Sequence, residues 1–417
     1  MTLAFLVLRK GFLKVMGATI QAALDRGHRA VLLWDPVEAK PGEAVTEADL
    51  GAWPGASRGV WRRGTPLLPL LQTAGADALV APSLHYILQV NCGDEGIDAI
   101  RRAGIGLYSV DYAFETVTSA PEGYRAIDIT FYMSEFQRAL HQRLFADRFA
   151  ALGPGVDVAA RSAVSGSTML DQLALVDRAA VRKRYGLGAD QPVVLFMSLK
   201  MAVPDPWRRL VWGGGPRPWR ALRALAAGRA AWVPEIILRG HGYRVLVEAL
   251  RVFCARTGAA LVVKSREKNA DPRFLRRLAD VFVYDEGVYP YTSIELMAIA
   301  DLCVHFQSGA VLEAVAAGVP SLSIAVSQEH LREYSSFDEA YGGRPGSLQN
   351  FPGVVWSADP AAAIGSLARG SLEDFRVDPD ARRRYVEKFL GFDDTKSSVR
   401  VLESIERARG ISLPRRA

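Results

Sequence analysis

Apolar positions along the chain fall into two alternating patterns. Leu3 to Leu8 is a short continuous apolar run, the mark of a strand covered on both faces, and after the Lys10-Gly11 loop a helical period runs through Val15, Ile20 and Leu24 until Gly27. Arg29 to Trp34 forms the next strand and closes a βαβ unit whose crossover is expected to be right-handed. The alternation returns at Ala78 to Ala81, a helix over Gly96 to Arg102, Gly106 to Val110, and Ile127 to Met133. This is the order of a Rossmann-like sheet.

A second series begins after a charged helical stretch that ends in Arg184-Tyr185-Gly186-Leu187. Gln191-Pro192 opens the strand Val193 to Met197, so a domain boundary is placed near residue 185. There follow a helix from Tyr243 to Thr257, a strand Ala260 to Lys264, a helix around Pro272 to Asp280 and a strand Val281 to Tyr284. A helix from Ser293 to Ala300, a strand Leu302 to His305, a helix after Gly309 and a strand Ser321 to Ala325 complete it. The expected fold class is α/β, with two Rossmann-like doubly wound domains facing a central cleft: 1–185, 186–375, and closing helices over 376–417. Ligands in such sheets bind beyond the C-terminal ends of the strands.

A length of 417 residues supports two cores, and an apolar share of 49% with 23% charged residues reads as globular. Cys92, Cys254 and Cys303 lie far apart with no metal-ligand spacing, so neither a disulfide framework nor a metal site is expected, and no cofactor is implied. A reducing cytoplasm is the expected compartment. The opening Met-Thr-Leu-Ala-Phe-Leu-Val-Leu lacks a basic start and a cleavage site and reads as a strand. No apolar run approaches the ~20 residues of a membrane span, so any membrane contact is peripheral, at the inner face. The net charge of +6 suits a phosphorylated substrate, an anionic lipid or nucleic acid, and no nucleic-acid reading module accompanies it.

The segment Ser308-Gly309-Ala310-Val311-Leu312-Glu313 leaves a buried strand and enters a helix that Gly318-Val319-Pro320 ends. Helix-terminal N–H groups favour a phosphate, Gly309 lets a ligand approach the backbone, and Glu313 lies one turn in, placed to accept from ribose hydroxyls. The plainer alternative is a capping Ser308 with a solvated Glu313. Lys264 and Arg266 end another strand and offer two cations to a phosphate, or form a surface basic turn. His305 ends the strand before Ser308 and either packs or binds.

Together, the helix from Glu295, Ala300-Asp301, the strand, the Ser-Gly turn, Glu313 and Gly318-Val319-Pro320 resemble the donor-nucleotide site of the GT-B superfamily. The resemblance is nearest to the branch of non-hydrolysing UDP-N-acetylglucosamine 2-epimerases and CDP-glycerol glycerophosphotransferases. Gly166-Ser167-Thr168-Met169-Leu170-Asp171 and Arg184-Tyr185-Gly186-Leu187 are similar to phrases of the same epimerases. The resemblance implies that Ser308, Gly309, Ala310 and Glu313 hold diphosphate and ribose, that the loop Tyr284 to Tyr291 faces the base, and that Gly11 lines the cleft. It also implies a final helix, within Tyr385 to Arg407, that crosses back onto the first domain.

An acid or base is expected from the first domain. The candidates are Asp94, Asp111 and Glu122, which echo epimerase carboxylates at altered spacing, with Glu95, Glu115 and His85 beside them; any one of these carboxylates could equally be a cap or a surface ion pair, and His85 a packed residue. After Met197 those epimerases carry a His-Arg pair, whereas this chain has Ser198-Leu199, which tilts the expectation from epimerase to transferase and leaves Ser198 as a donor-side contact.

Between these elements lies a Trp- and Arg-rich insertion, 201–240, with Trp207, Trp212, Trp219 and Trp232. Over 207–232 it suits an anionic membrane surface, or it packs against the protein or a second copy in a homodimer. The expected activity is a glycosyltransferase moving a sugar or sugar-like group from a nucleotide-sugar donor to a glycan or lipid-linked acceptor in surface polysaccharide biosynthesis. The alternatives are a nucleotide-sugar 2-epimerase and a non-catalytic nucleotide-sugar-binding module.

Overall fold

The structure is a computed structural model that describes residues 1–37, 43–111, 121–144, 146–151, 157, 159–198, 225–226, 228, 233–265, 273–284, 286–325, 340 and 343–410. It divides into two units, Met1–Val176 with Gly287–Ile294 and Arg383–Ala417, and Asp177–Glu286 with Glu295–Arg382. Each unit is built on one parallel sheet.

The sheet of the first unit contains β1 (Thr2–Val7), β2 (Arg29–Trp34), β3 (Ser57–Val60), β4 (Ala78–Pro82), β5 (Gly106–Val110), β6 (Ile129–Tyr132) and β7 (Ser162–Val164), in the order β3-β2-β1-β4-β5-β6-β7. All six residues of β1 are buried, as a central parallel strand requires. Helix Lys10–Asp25 buries Phe12, Leu13, Val15, Met16, Ile20 and Ala23, an apolar face at helical spacing, and Gly27 turns the chain in the left-handed region (φ 76°) toward β2.

The sheet of the second unit contains β8 (Val193–Met197), β9 (Ala260–Lys264), β10 (Val281–Val283), β11 (Leu302–His305), β12 (Ser321–Ile324) and β13 (Val355–Ala358), in the order β10-β9-β8-β11-β12-β13. In both sheets the order reverses beside the first strand, between β1 and β4 and between β8 and β11. Those reversals are the topological switch points of doubly wound folds.

The passage between units differs from the expected boundary at 185. Helix Arg178–Arg184 belongs to the second unit, where Arg182 donates to the Ile299 carbonyl (3.2 Å) and Arg184 holds Glu295 through two bonds (2.7 and 3.1 Å). Gly287–Ile294, expected in the second domain, belongs to the first. Val288 enters the first core, Tyr289 packs on Trp53 (centroids 5.1 Å apart), Tyr291 N–H donates to Gln172 Oε1 (2.8 Å) and Lys14 Nζ donates to Ser293 Oγ (2.9 Å). These contacts hold the C-terminal part of the loop Tyr284 to Tyr291 in the first unit. Most of the Trp/Arg insertion lies outside the described residues; its end, from Val233, is already helix Val233–Thr257.

The closing stretch rejoins the first unit from Arg383 onward. Helix Ser397–Ala408 buries Val401, Leu402 and Ile405 in the first core, and Glu406 there pairs with Arg26 (2.6 Å) and His28 (2.7 Å). Its start is held by buried Asp171, which accepts from the Ser397 N–H (3.0 Å) and the Ser398 N–H (2.6 Å). Both donors are among the groups that a helix start leaves unpaired. Asp171→Ala should therefore expose a loss of about 1–3 kcal/mol for each stranded donor, read as faster amide exchange across 397–408. Unchanged protection there would show that the helix does not depend on this carboxylate.

Candidate functional site

Two clusters stand out, one at the switch point of the second sheet and one at the ends of β4, β5 and β6 in the first. In the second unit, β11 ends in His305 and the chain turns through Phe306, Gln307, Ser308 and Gly309 into helix Ala310–Ala316. Gln307 has left-handed backbone (φ 38°), unusual for a residue with a side chain and the kind of local strain that collects at functional turns. His305 is fully buried and explains how the turn is held. The Ser308 N–H donates to its Nδ1 (3.2 Å), so the ring proton lies on Nε2, which donates to Ser321 Oγ (2.7 Å). Burial lowers its pKa to about 3, and it stays neutral.

A second brace comes from Gln349, which donates to the Ser308 carbonyl (3.2 Å) and accepts from Ser323 Oγ (2.8 Å). Within the turn, Ser308 Oγ accepts from the Ala310 N–H (3.2 Å). Gly309 is exposed, and a Cβ added there would meet nothing within 4 Å, so the backbone at this point is open to a ligand. Ala310 and Glu313 are buried behind it. On the neighbouring strand end, Ser198 N–H donates to the Lys264 carbonyl (3.0 Å).

Lys264 differs from expectation. It is 2% exposed, and its ammonium donates to the Ser265 carbonyl (2.6 Å) and pairs with Glu286 (3.0 Å). A buried ammonium requires a partner, and this one has a carboxylate of its own unit instead of facing solvent. Arg266 lies outside the described residues. His305, with both nitrogens engaged by protein, shapes the turn. Glu295 serves as the partner of Arg184.

In the first unit the second cluster lies at the ends of β4, β5 and β6. Ser83 turns the chain out of β4 with left-handed backbone (φ 50°), and the Leu84 N–H that follows donates to Ser109 Oγ (3.1 Å). His85 is fully buried, its pKa lowered to about 3 by burial and by His141, and neither ring nitrogen has a hydrogen-bond partner among the described residues. Asp111 follows β5, 1% exposed. Burial raises its pKa to about 7, opposed by hydrogen bonds from Tyr124 and Ser109, and its Oδ1 has no partner among the described residues. A carboxyl that changes protonation near neutrality is suited to acid–base work.

Of the other residues, Asp94 is exposed in helix Leu84–Arg102, beyond a break at Gly93 (φ 61°, ψ 176°), and is not gathered with Asp111. His85, expected near a strand end, follows β4, which ends at Pro82. Glu122 lies in the 3-10 turn Pro121–Arg125 with its side chain outside the described residues, and Glu115 lies outside them altogether. Gly11 is in the first turn of helix Lys10–Asp25, with open space where a Cβ would be. Tyr124, Tyr132, His141 and Gln349 were not legible as site residues, because single aromatic and amide residues carry no spacing signal until the fold gathers them.

No family model and no curated protein sequence matches the chain. Solved structures do share its fold. The UDP-GlcNAc 2-epimerase of Neisseria meningitidis bound to UDP-GlcNAc aligns over 98% of this chain and 100% of its own, at 10% identity and a TM-score of 0.56. The UDP-GlcNAc 2-epimerase of Methanocaldococcus jannaschii aligns over 98% and 100%, at 12% identity and a TM-score of 0.55. The wall teichoic acid polymerase TagF, soaked with CDPG, aligns over 98% and 88%, at 12% identity and a TM-score of 0.55. The fold is thus GT-B, shared with the branch that the sequence resembles.

The protonation of Asp111 has a measurable sign. Its folded pKa, about 7, lies above the ordinary 3.8, so its contribution to stability is complete below the ordinary value and is lost as pH rises through the folded one. Asp111→Asn cannot ionise. Chemical unfolding compared from about pH 4 to about pH 8 should show the variant gaining on the wild type as pH rises. A constant difference would place the carboxyl in the ordinary range.

Proposed function

We propose that the chain is a GT-B glycosyltransferase or related transferase, taking a nucleoside-diphosphate-linked sugar or sugar-like group as donor and a glycan or lipid-linked hydroxyl as acceptor. The observation that carries this reading is the braced, left-handed turn at Gln307 with open Gly309 at the second unit's switch point. The structures that share the fold include ones solved with UDP-GlcNAc and with CDPG, which supports the donor class. Ser308, Gly309 and Ala310 then hold the diphosphate and Glu313 the ribose, with Ser198 beside them.

In the proposed reaction the acceptor oxygen attacks the donor carbon while the bond from that carbon to the diphosphate oxygen breaks. The diphosphate leaves with the electron pair, and the acceptor proton passes to a base. Asp111 is the assigned base, since its pKa near neutrality lets it take a proton and release it again. Surface polysaccharide synthesis is the proposed setting. The Trp- and Arg-rich stretch 207–232 is the basis for a lipid-linked acceptor at a membrane surface. No helix among the described residues is long and apolar enough to cross a membrane.

A nucleotide-sugar 2-epimerase is the second reading, favoured by the shared fold. Ser198, where the resembled epimerases carry His-Arg, counts against it. Incubation with UDP-N-acetylglucosamine and no acceptor separates the two, because a new epimer would replace the transferase reading. Donor binding is tested by thermal shift against UDP, CDP, GDP and ADP, where one should raise the midpoint in a concentration-dependent way. Glu313→Ala should abolish that rise. An equal rise in the variant would remove Glu313 from the ribose role, and binding without transfer to any acceptor would favour a non-catalytic module.

A further inference from the structure

We infer that Tyr124 is a positioning residue that ties Asp111 and His85 into one acid–base unit, its hydroxyl on the carboxyl and its ring on the imidazole. The Tyr124 hydroxyl donates to Asp111 Oδ2 (3.4 Å), and its ring stacks on His85 with centroids 4.1 Å apart and planes 23° from parallel. Phe149 meets the same ring edge-on (5.4 Å). One side chain thus touches both candidate groups.

The backbone on either side is fixed independently of that contact. A Cβ at Gly123 would lie 2.3 Å from the His85 carbonyl oxygen, so only glycine lets the turn Pro121–Arg125 approach this closely. The Gly123 N–H donates to Gln89 Oε1 (3.0 Å), and the Arg125 carbonyl accepts from Arg101 (2.8 Å) and Arg161 (2.9 Å). With the turn held at both ends, the ring can fill space without its hydroxyl. A hydroxyl aimed at a buried carboxyl therefore calls for an explanation beyond packing.

The groups around Asp111 define what that hydroxyl does. Ser109 bonds it from its own strand, Tyr124 from the turn, and Tyr132 approaches from β6, where it meets His141 edge-on (5.3 Å). His141 in turn acts on His85 through its charge. Among the described residues, no cation acts on Asp111. Hydroxyl donation is then the means by which the protein keeps the carboxylate form within reach, against burial that favours the acid.

The inference rests on the reading of Asp111 as the acid–base group, so its test reads the proton directly on ligand-free protein. The protonated-carboxyl infrared band that Asp111→Asn removes should titrate near pH 7 in the wild type and at higher pH in Tyr124→Phe, which keeps the ring and loses the donor. Incorporating 3-fluorotyrosine at position 124, a stronger donor of nearly the same shape, should move the midpoint down, and this arm serves if Tyr124→Phe does not fold. In Tyr124→Leu the His85 proton signal in NMR should begin to titrate, having been silent in the wild type. Identical midpoints in the wild type and in the Phe and fluorotyrosine proteins would overturn the positioning role. A transferase assay that fails while these shifts appear would instead count against the proposed reaction. Where transfer is seen, Tyr124→Phe should lower kcat and displace the acid limb of its pH profile upward, with KM little changed.

Discussion

A parallel sheet cannot be built from hairpins, and this constraint determines where chemistry can lie in the chain. Every strand must be followed by a crossover, and where the order reverses, neighbouring crossovers leave on opposite faces and uncover the strand ends between them. Both sheets reverse beside their first strand, between β1 and β4 and between β8 and β11. The strand on the far side of each reversal leads directly into a left-handed non-glycine residue, Ser83 after β4 and Gln307 in the turn after β11. Among the other described non-glycine residues only Thr395 shares that backbone region. Two sheets thus place left-handed backbone at topologically equivalent turns, held behind Gln307 by the His305 and Gln349 bonds and behind Ser83 by the Leu84 N–H on Ser109.

What stands behind the two turns differs in kind. Behind Gln307 the polar groups are matched, with His305 bonded at both nitrogens and Gln349 bonded at both ends of its amide. Such a network makes a rigid cradle and has no reason to exchange protons. Behind Ser83 the match is incomplete. His85 has neither nitrogen paired among the described residues, and Asp111 has one oxygen without a partner. The first arrangement suits binding a ligand and the second suits chemistry on one, which is why the proposed roles are divided between the units as they are.

The central strands were legible because burial on both faces leaves a continuous apolar run, as in Leu3 to Leu8 and Val193 to Met197. Of the outer strands, β10 was legible and the other three were not. β3 reads Ser-Arg-Gly-Val and is largely exposed, and β7 and β13 are short and only partly covered, so neither alternation nor an apolar run marks them. Helix Leu84–Arg102 was half seen because Gly93 breaks it. In the candidate site, Ser308, Gly309 and Glu313 were legible from local order alone, since turn and helix start are consecutive in sequence. The Asp111 environment was not, because Tyr124 reaches it from a separate turn and His85 from another strand end.

Lys264 and Asp111 show why a strand-end charge is not by itself a site. Both follow or end a buried strand and both are almost fully buried, yet their surroundings settle them in opposite ways. Lys264 has a carboxylate at 3.0 Å in Glu286, so its buried ammonium is partnered inside its own unit. Asp111 has no cation acting on it among the described residues, so burial works against its charge and its proton is retained until near neutrality. A buried carboxyl whose donors among the described residues are hydroxyls can change state near neutrality, and this is the ground on which Asp111 is proposed as the proton-transfer group.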